Sequence, residues 1–174
     1  IAEEVQLDMS QVILGGDHMG PLPWAKQSEN QAMQNAKELV KQCVLAGFRK
    51  IHLDTSMLLG EESNLTDNVI ARRGAILAVA AEEAFQEYQK QYPEAEKPVY
   101  VIGSEVPVPG GVEDTISSEI TVGENCLKTL KAYEKYFDEY KVRAAYDRII
   151  AIVVHLGVEF KATELDEYQE DNIL

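Results

Sequence analysis

Arg148-Ile149-Ile150-Ala151-Ile152-Val153-Val154 carries six apolar residues in unbroken succession behind its arginine and runs straight into His155-Leu156-Gly157. A strand with one wet face alternates apolar and polar side chains. A strand covered on both faces, as inside a parallel sheet, does not. Gln11-Val12-Ile13-Leu14-Gly15-Gly16 has the same near-continuous character. Lys50-Ile51-His52-Leu53-Asp54 and Pro98-Val99-Tyr100-Val101-Ile102-Gly103 are two further short apolar runs read as buried strands.

The segments between these runs have helical periodicity. Ser28-Glu29-Asn30-Gln31 has the composition of a capping box, and Ala32, Ala36, Leu39, Val40, Cys43 and Val44 follow at helical spacing before Gly47. A second helix is expected from about Thr66 to Pro93. It carries Val69, Ile70, Ile76, Leu77, Ala80, Ala84, Phe85 and Tyr88, with Gly74 inside it. A glycine there costs about 1 kcal/mol relative to alanine, so a close packing contact is its expected reason. A third helix, 121–140, presents Cys126, Leu130, Tyr133, Phe137 and Tyr140 on one face. The order β-α-β-α-β-α-β predicts parallel strands joined by right-handed crossovers.

Composition narrows the classes of function. The chain has 174 residues, with 16 Lys+Arg against 30 Asp+Glu, a net charge of −14. That balance argues against nucleic acid as a partner and against a polybasic membrane anchor. No run reaches the roughly 18–20 apolar residues of a membrane span. Two cysteines, Cys43 and Cys126, are too few for a disulfide scaffold or a cysteine zinc module. Both sit on apolar helix faces, and the expectation is two reduced, buried thiols. The start, Ile1-Ala2-Glu3-Glu4, has neither an initiator Met nor a basic leader. That start is compatible with a chain whose true beginning is missing, and the reading is a cytoplasmic protein.

In parallel α/β folds the chemistry gathers at the carboxyl ends of the strands. Here those ends read Asp17-His18-Met19-Gly20-Pro21, Asp54-Thr55-Ser56, Ser104-Glu105-Val106-Pro107 and His155-Leu156-Gly157. Each has an ordinary structural use: Asp17 suits a turn cap, Asp54 suits the turn before Thr55-Ser56, and His155 suits a hydrogen-bonded core position. Together they form a coherent set, because imidazole and carboxylate groups hold divalent metals such as zinc. The metal candidates are His18, His155, Glu105 and Asp54, with Asp17 as a candidate for proton transfer. His52 lies between Ile51 and Leu53 and is expected to face a helix, outside the site. There is neither a GxxxxGK[ST] phosphate loop nor a GxGxxG dinucleotide fingerprint.

The stretches Val12-Ile13-Leu14-Gly15-Gly16-Asp17-His18-Met19-Gly20-Pro21, Lys50-Ile51-His52-Leu53-Asp54-Thr55-Ser56-Met57, Val101 through Gly111 and Ile150 through Phe160 closely resemble consecutive motifs of the GatZ/KbaZ family. These are accessory, non-catalytic subunits of class II tagatose-1,6-bisphosphate aldolase, also designated tagatose-6-phosphate kinases. The resemblance runs from about Ser10 to Phe160. It implies a TIM (β/α)8 barrel, of which this chain supplies strands three to six. It also implies a role in galactitol, N-acetylgalactosamine or tagatose catabolism beside a catalytic aldolase subunit. A remoter similarity to the class II aldolase barrel implies proton transfer at Asp17, zinc ligation at His18 and His155, and acidic groups near the metal at Asp54 and Glu105. The third zinc histidine and the phosphate-holding loops of those aldolases would lie on strands seven and eight, which this sequence lacks. Members of the accessory family often carry Gln-Pro-Gly where His155-Leu156-Gly157 stands here.

Three functions follow as expectations. The first is an accessory subunit that stabilises an aldolase. The second is a metal-dependent ketose-bisphosphate lyase, and the third is a sugar-phosphate kinase, against which the missing phosphate loop counts modestly. Strand starts near 11, 50, 98 and 148 lie about 46 residues apart, so eight such units need roughly 370 residues. The chain is therefore read as a partial barrel, residues 1–174. Its open sheet edges would be covered by the rest of a longer chain or by self-association into an oligomer.

Overall fold

The computed structural model describes residues 3–8, 11–103 and 123–154. Four strands, β1 (Gly15–Met19), β2 (Lys50–Leu53), β3 (Val99–Ile102) and β4 (Ile149–Ile152), form one parallel sheet in the order β1-β2-β3-β4. Helix α1 (Glu29–Leu45) joins the first pair and α2 (Asp67–Gln91) the second. Helices α3 (Gly123–Glu139) and α4 (Arg143–Tyr146) lie between β3 and β4. Because α1 packs on α2 and α2 on α3, the helices form one layer in chain order. A sheet with sequential parallel neighbours and right-handed crossovers puts all its helices on one side. The core lies between that layer and the sheet. It contains Ile51, Leu53, Tyr100 and Ile102 from the strands and Val40, Val44, Leu77, Phe85, Tyr133 and Phe137 from the helices.

The local signals act unevenly. Thr66 caps α2, its hydroxyl accepting from the Val69 amide at 3.4 Å. Helix α1 closes through Phe48 N–H to the Cys43 carbonyl and Gly47 N–H to the Val44 carbonyl, the paired bonds of a Schellman end. The expected capping box does not form. Ser28 is the N-cap residue, but its side chain makes no capping bond, and Gln31 donates along the helix to Asn35 instead.

The first strand begins later than its apolar run suggests. Pairing starts at Gly15, opposite Lys50, while Ile13 and Leu14 precede it and are exposed. Only the end of the run, Gly15-Gly16, lies in the paired strand, which continues to Met19. Cys43 and Cys126 are reduced but half-buried, not buried as expected. Helix α4 was not anticipated; at four residues it is too short to show a period. Among the described residues no helix is long and apolar enough to cross a membrane.

Candidate functional site

The site originates in an irregularity between β1 and β2. Gly16 pairs with Ile51 and Met19 with Leu53, so Asp17 and His18 together oppose the single residue His52. Two residues against one is a β-bulge, which turns consecutive side chains that would normally diverge toward a common neighbour. His18 carries the deformation, with φ of 46°, a left-handed conformation that costs a non-glycine residue about 1–2 kcal/mol. Just beyond, Gly20 lets the chain pass β2. A Cβ there would fall 1.5 Å from the Asp54 carbonyl oxygen.

His52 was expected to face a helix, and this is overturned. Ile51 and Leu53 are the fully buried residues that meet the helices. The period of two sends His52 and Lys50 to the opposite face, where both reach Asp17. Lys50 Nζ donates to Asp17 Oδ1 at 2.8 Å, and His52 Nδ1 lies 3.0 Å from the same oxygen. His52 is nearly fully buried. Its Nε2 is 2.8 Å from the Gly103 carbonyl, an acceptor only, so Nε2 carries the proton. The His18 amide N–H points at Nδ1 from 3.3 Å. The signal for His52 was present in the sequence: a polar residue between two core-facing ones belongs to the other face.

His18 is held from the other side. Its Nδ1 is 2.7 Å from Asp54 Oδ2, and Asp54 is buried. The Ser56 hydroxyl donates to the second Asp54 oxygen at 3.3 Å. Asp54 thereby fixes the orientation of the imidazole, and no described residue bonds Nε2. The two rings stand 5.0 Å apart. The Lys50 hydrogen bond, helped by the His52 ring, outweighs the burial of Asp17 and pulls its carboxyl down to about 2. Asp17 is thus a firmly charged carboxylate held by a lysine.

Asp17, His18 and His52 each offer one ligand atom, and these atoms lie within 4.8 Å of one another. The chemistry of two imidazoles and a carboxylate suits zinc. Asp54 does not join that group but stands behind His18. Glu105, His155 and the Pro107–Gly111 loop lie outside the described residues.

Below the site, Tyr133 of α3 is buried with its hydroxyl unpaired among the described residues. Thr55 and the Gly103 backbone approach its oxygen, and burial pushes the phenol up to about 12. The Thr55 hydroxyl is committed elsewhere, donating to the Ile70 carbonyl at 2.8 Å. A second buried group, unmarked in the sequence, is Arg73. It is fully enclosed, bonded to Glu29 at 2.8 Å, to the Met57 carbonyl at 2.9 Å and to Glu62. It ties the loop after β2 to the start of α1, and so holds the segment that follows Asp54.

The family model for the D-tagatose-1,6-bisphosphate aldolase subunit GatZ/KbaZ-like proteins matches residues 1–173. The chain belongs to the GatZ/KbaZ-like family. Among solved structures, this GatZ/KbaZ-like chain is similar to a probable tagatose 6 phosphate kinase from Sinorhizobium meliloti 1021, at 32% identity and a TM-score of 0.78. The alignment covers 98% of this chain and 38% of that one. The GatZ/KbaZ-like chain therefore spans well under half the length of that relative. The bulge pair Asp17-His18 and its partners on β2 all fall within the matched segment.

Proposed function

We propose that the protein is the accessory subunit of a tagatose-1,6-bisphosphate aldolase, supporting the stability and activity of a separate catalytic subunit in the cytoplasm. The observation that carries this reading is the family match over residues 1–173. In the same reading the four strands are the third to sixth of a (β/α)8 barrel. The sequential sheet with its single helical layer supports that placement, since a doubly wound sheet would split its helices between two faces. Galactitol, N-acetylgalactosamine and tagatose catabolism are the routes in which such a subunit would serve.

The state of Asp17 supports a supporting rather than a catalytic role. A general base works best when its pKa lies near the working pH, and the Lys50 contact holds this carboxyl far below it. To accept a proton, Asp17 must first lose Lys50.

A second reading, a metal-dependent ketose-bisphosphate lyase, is favoured by the pairing of His18 with Asp54 at 2.7 Å. A carboxylate behind a histidine is the usual outer-shell support of a metal ligand. A bound zinc would supply Lewis acidity toward a substrate carbonyl. In that reading His18, with His155 and Glu105, would hold the metal, Asp54 would orient His18, and Asp17 would move the proton. The kinase reading rests on the name of the Sinorhizobium relative alone.

Co-expression with a catalytic class II aldolase subunit tests the proposal. A stable complex with raised aldolase activity supports the accessory role, whereas cleavage of tagatose 1,6-bisphosphate by the purified protein alone supports the lyase.

A further inference from the structure

We infer that Asp17, His18 and His52 form a site for one divalent cation of the zinc class, with buried His52 as its anchoring ligand. This set goes beyond the accessory role and does not depend on it. It also differs from the set that pairs His18 with His155, because it brings in a residue of β2 and leaves Asp54 outside the coordination sphere.

The argument begins with the second nitrogen of each ring. Metal-bound histidines almost always spend the other ring nitrogen on a carboxylate or backbone carbonyl, which fixes tautomer and orientation. Both arrangements occur here: His18 Nδ1 on Asp54 at 2.7 Å and His52 Nε2 on the Gly103 carbonyl at 2.8 Å. His18 keeps Nε2 for a ligand, and His52 turns Nδ1 to the His18 amide at 3.3 Å and to Asp17 at 3.0 Å, on the face of the sheet away from the helices.

The facing atoms of His52 and Asp17 make the second point. With Nε2 donating to Gly103, the Nδ1 lone pair of a neutral His52 accepts the His18 amide N–H from 3.3 Å, and 3.0 Å away stands a carboxylate oxygen. Two acceptors cannot satisfy each other. The His18 amide and Lys50 Nζ supply their hydrogens now, and a cation coordinated by both atoms would take the place of these two donors. An ion about 2 Å from a nitrogen and from an oxygen, as zinc requires, fits that span. Burial of His52 at the base of the site keeps its ring from swinging away to water. Lys50 Nζ, 2.8 Å from Asp17 Oδ1, is the competing cation and must give way when the ion enters.

The test is zinc binding to the purified protein by isothermal titration, with cobalt(II) absorption as an independent report of ligand number. The wild type is expected to take one zinc per chain. His52→Gln is expected to weaken binding by more than the roughly 10–100-fold that an outer-shell partner alone contributes. Asp17→Asn is expected to weaken it as well. Lys50→Met, which removes the competing charge but no ligand, is expected to tighten binding. That arm stands even if His52→Gln proves unstable, since an ion bound through the Asp17 carboxylate loses its direct competitor with Lys50. Absence of stoichiometric zinc in the wild type, unchanged affinity in a folded His52→Gln protein, or weaker binding in Lys50→Met would each overturn the inference. Co-purification with an aldolase subunit is a separate result, so loss of this site leaves the accessory role standing.

Discussion

The ring of Tyr133 on α3 fills the space that a side chain at Gly74 of α2 would need. A Cβ on Gly74 would lie 2.6 Å from Tyr133 Cε1. Both residues are buried, and the contact lets α3 approach α2 closely enough for Tyr133 to reach the base of the site. Gly74→Ala gains about 1 kcal/mol of helix propensity, yet overpacking a close contact costs about 1–3 kcal/mol. The expected outcome in urea denaturation is a net loss of stability. A more stable variant would show that the helices part without cost.

Tyr133→Phe should behave in the opposite way. Its hydroxyl is buried without a partner among the described residues, and an unsatisfied buried polar group costs about 1–3 kcal/mol. Removing it is expected to leave the melting temperature unchanged or raise it. A fall of several degrees would mean that a bound water or a further residue completes this hydroxyl.

Much of the fold was legible in the sequence, and the failures share a cause. Apolar runs located β2, β3 and β4, but only β2 and β3 are core on one face; β4, expected to be covered on both, is half-buried at Ile149 and Ile152 and exposed at Ile150 and Ala151 among the described residues. Helical periodicity located α1 to α3, and the lone Gly74 marked a close packing contact, whose partner is Tyr133. The bulge at Asp17-His18 was invisible, because it is defined by counting residues against a partner strand. With no bulge in view, nothing linked His52 to Asp17, and the apolar neighbours of His52 drew it toward the helices. Arg73 was missed for a similar reason. Its three acceptors come from α1 and from the loop before α2, and no local pattern announces such a convergence.

Arg73→Met should be the most damaging of the core substitutions. The guanidinium is fully buried, while Glu29 and Glu62 are partly exposed. Removing one partner of a buried pair costs about 3–5 kcal/mol, and the lower end applies because both glutamates can recover some hydration. Equilibrium denaturation checks this, and a loss below about 1 kcal/mol would mean that the network contributes little, as for exposed pairs.

Asp17 predicts a pH dependence of the metal-free protein. Its carboxyl is lowered from 3.8 to about 2, chiefly by Lys50. A depressed acid stabilises the fold above its unfolded value and loses that contribution as pH falls toward the folded one. The Lys50–Asp17 contribution should therefore be present at pH 5 and fade between about 4 and 2. It should be modest, since the Asp17 side chain is 67% exposed and solvent screens such a pair. In Lys50→Met, carbon-detected NMR should find the Asp17 carboxyl titrating nearer its ordinary value. An unchanged midpoint would assign the depression to other groups.

The accessory role is tested most directly by the rate of tagatose 1,6-bisphosphate cleavage by a catalytic class II aldolase subunit, with and without the protein. The account predicts no cleavage by the protein alone and a higher, longer-lived rate from the mixture, with the two chains eluting together. Cleavage by the protein alone, or a partner whose rate and lifetime are indifferent to its presence, would contradict it.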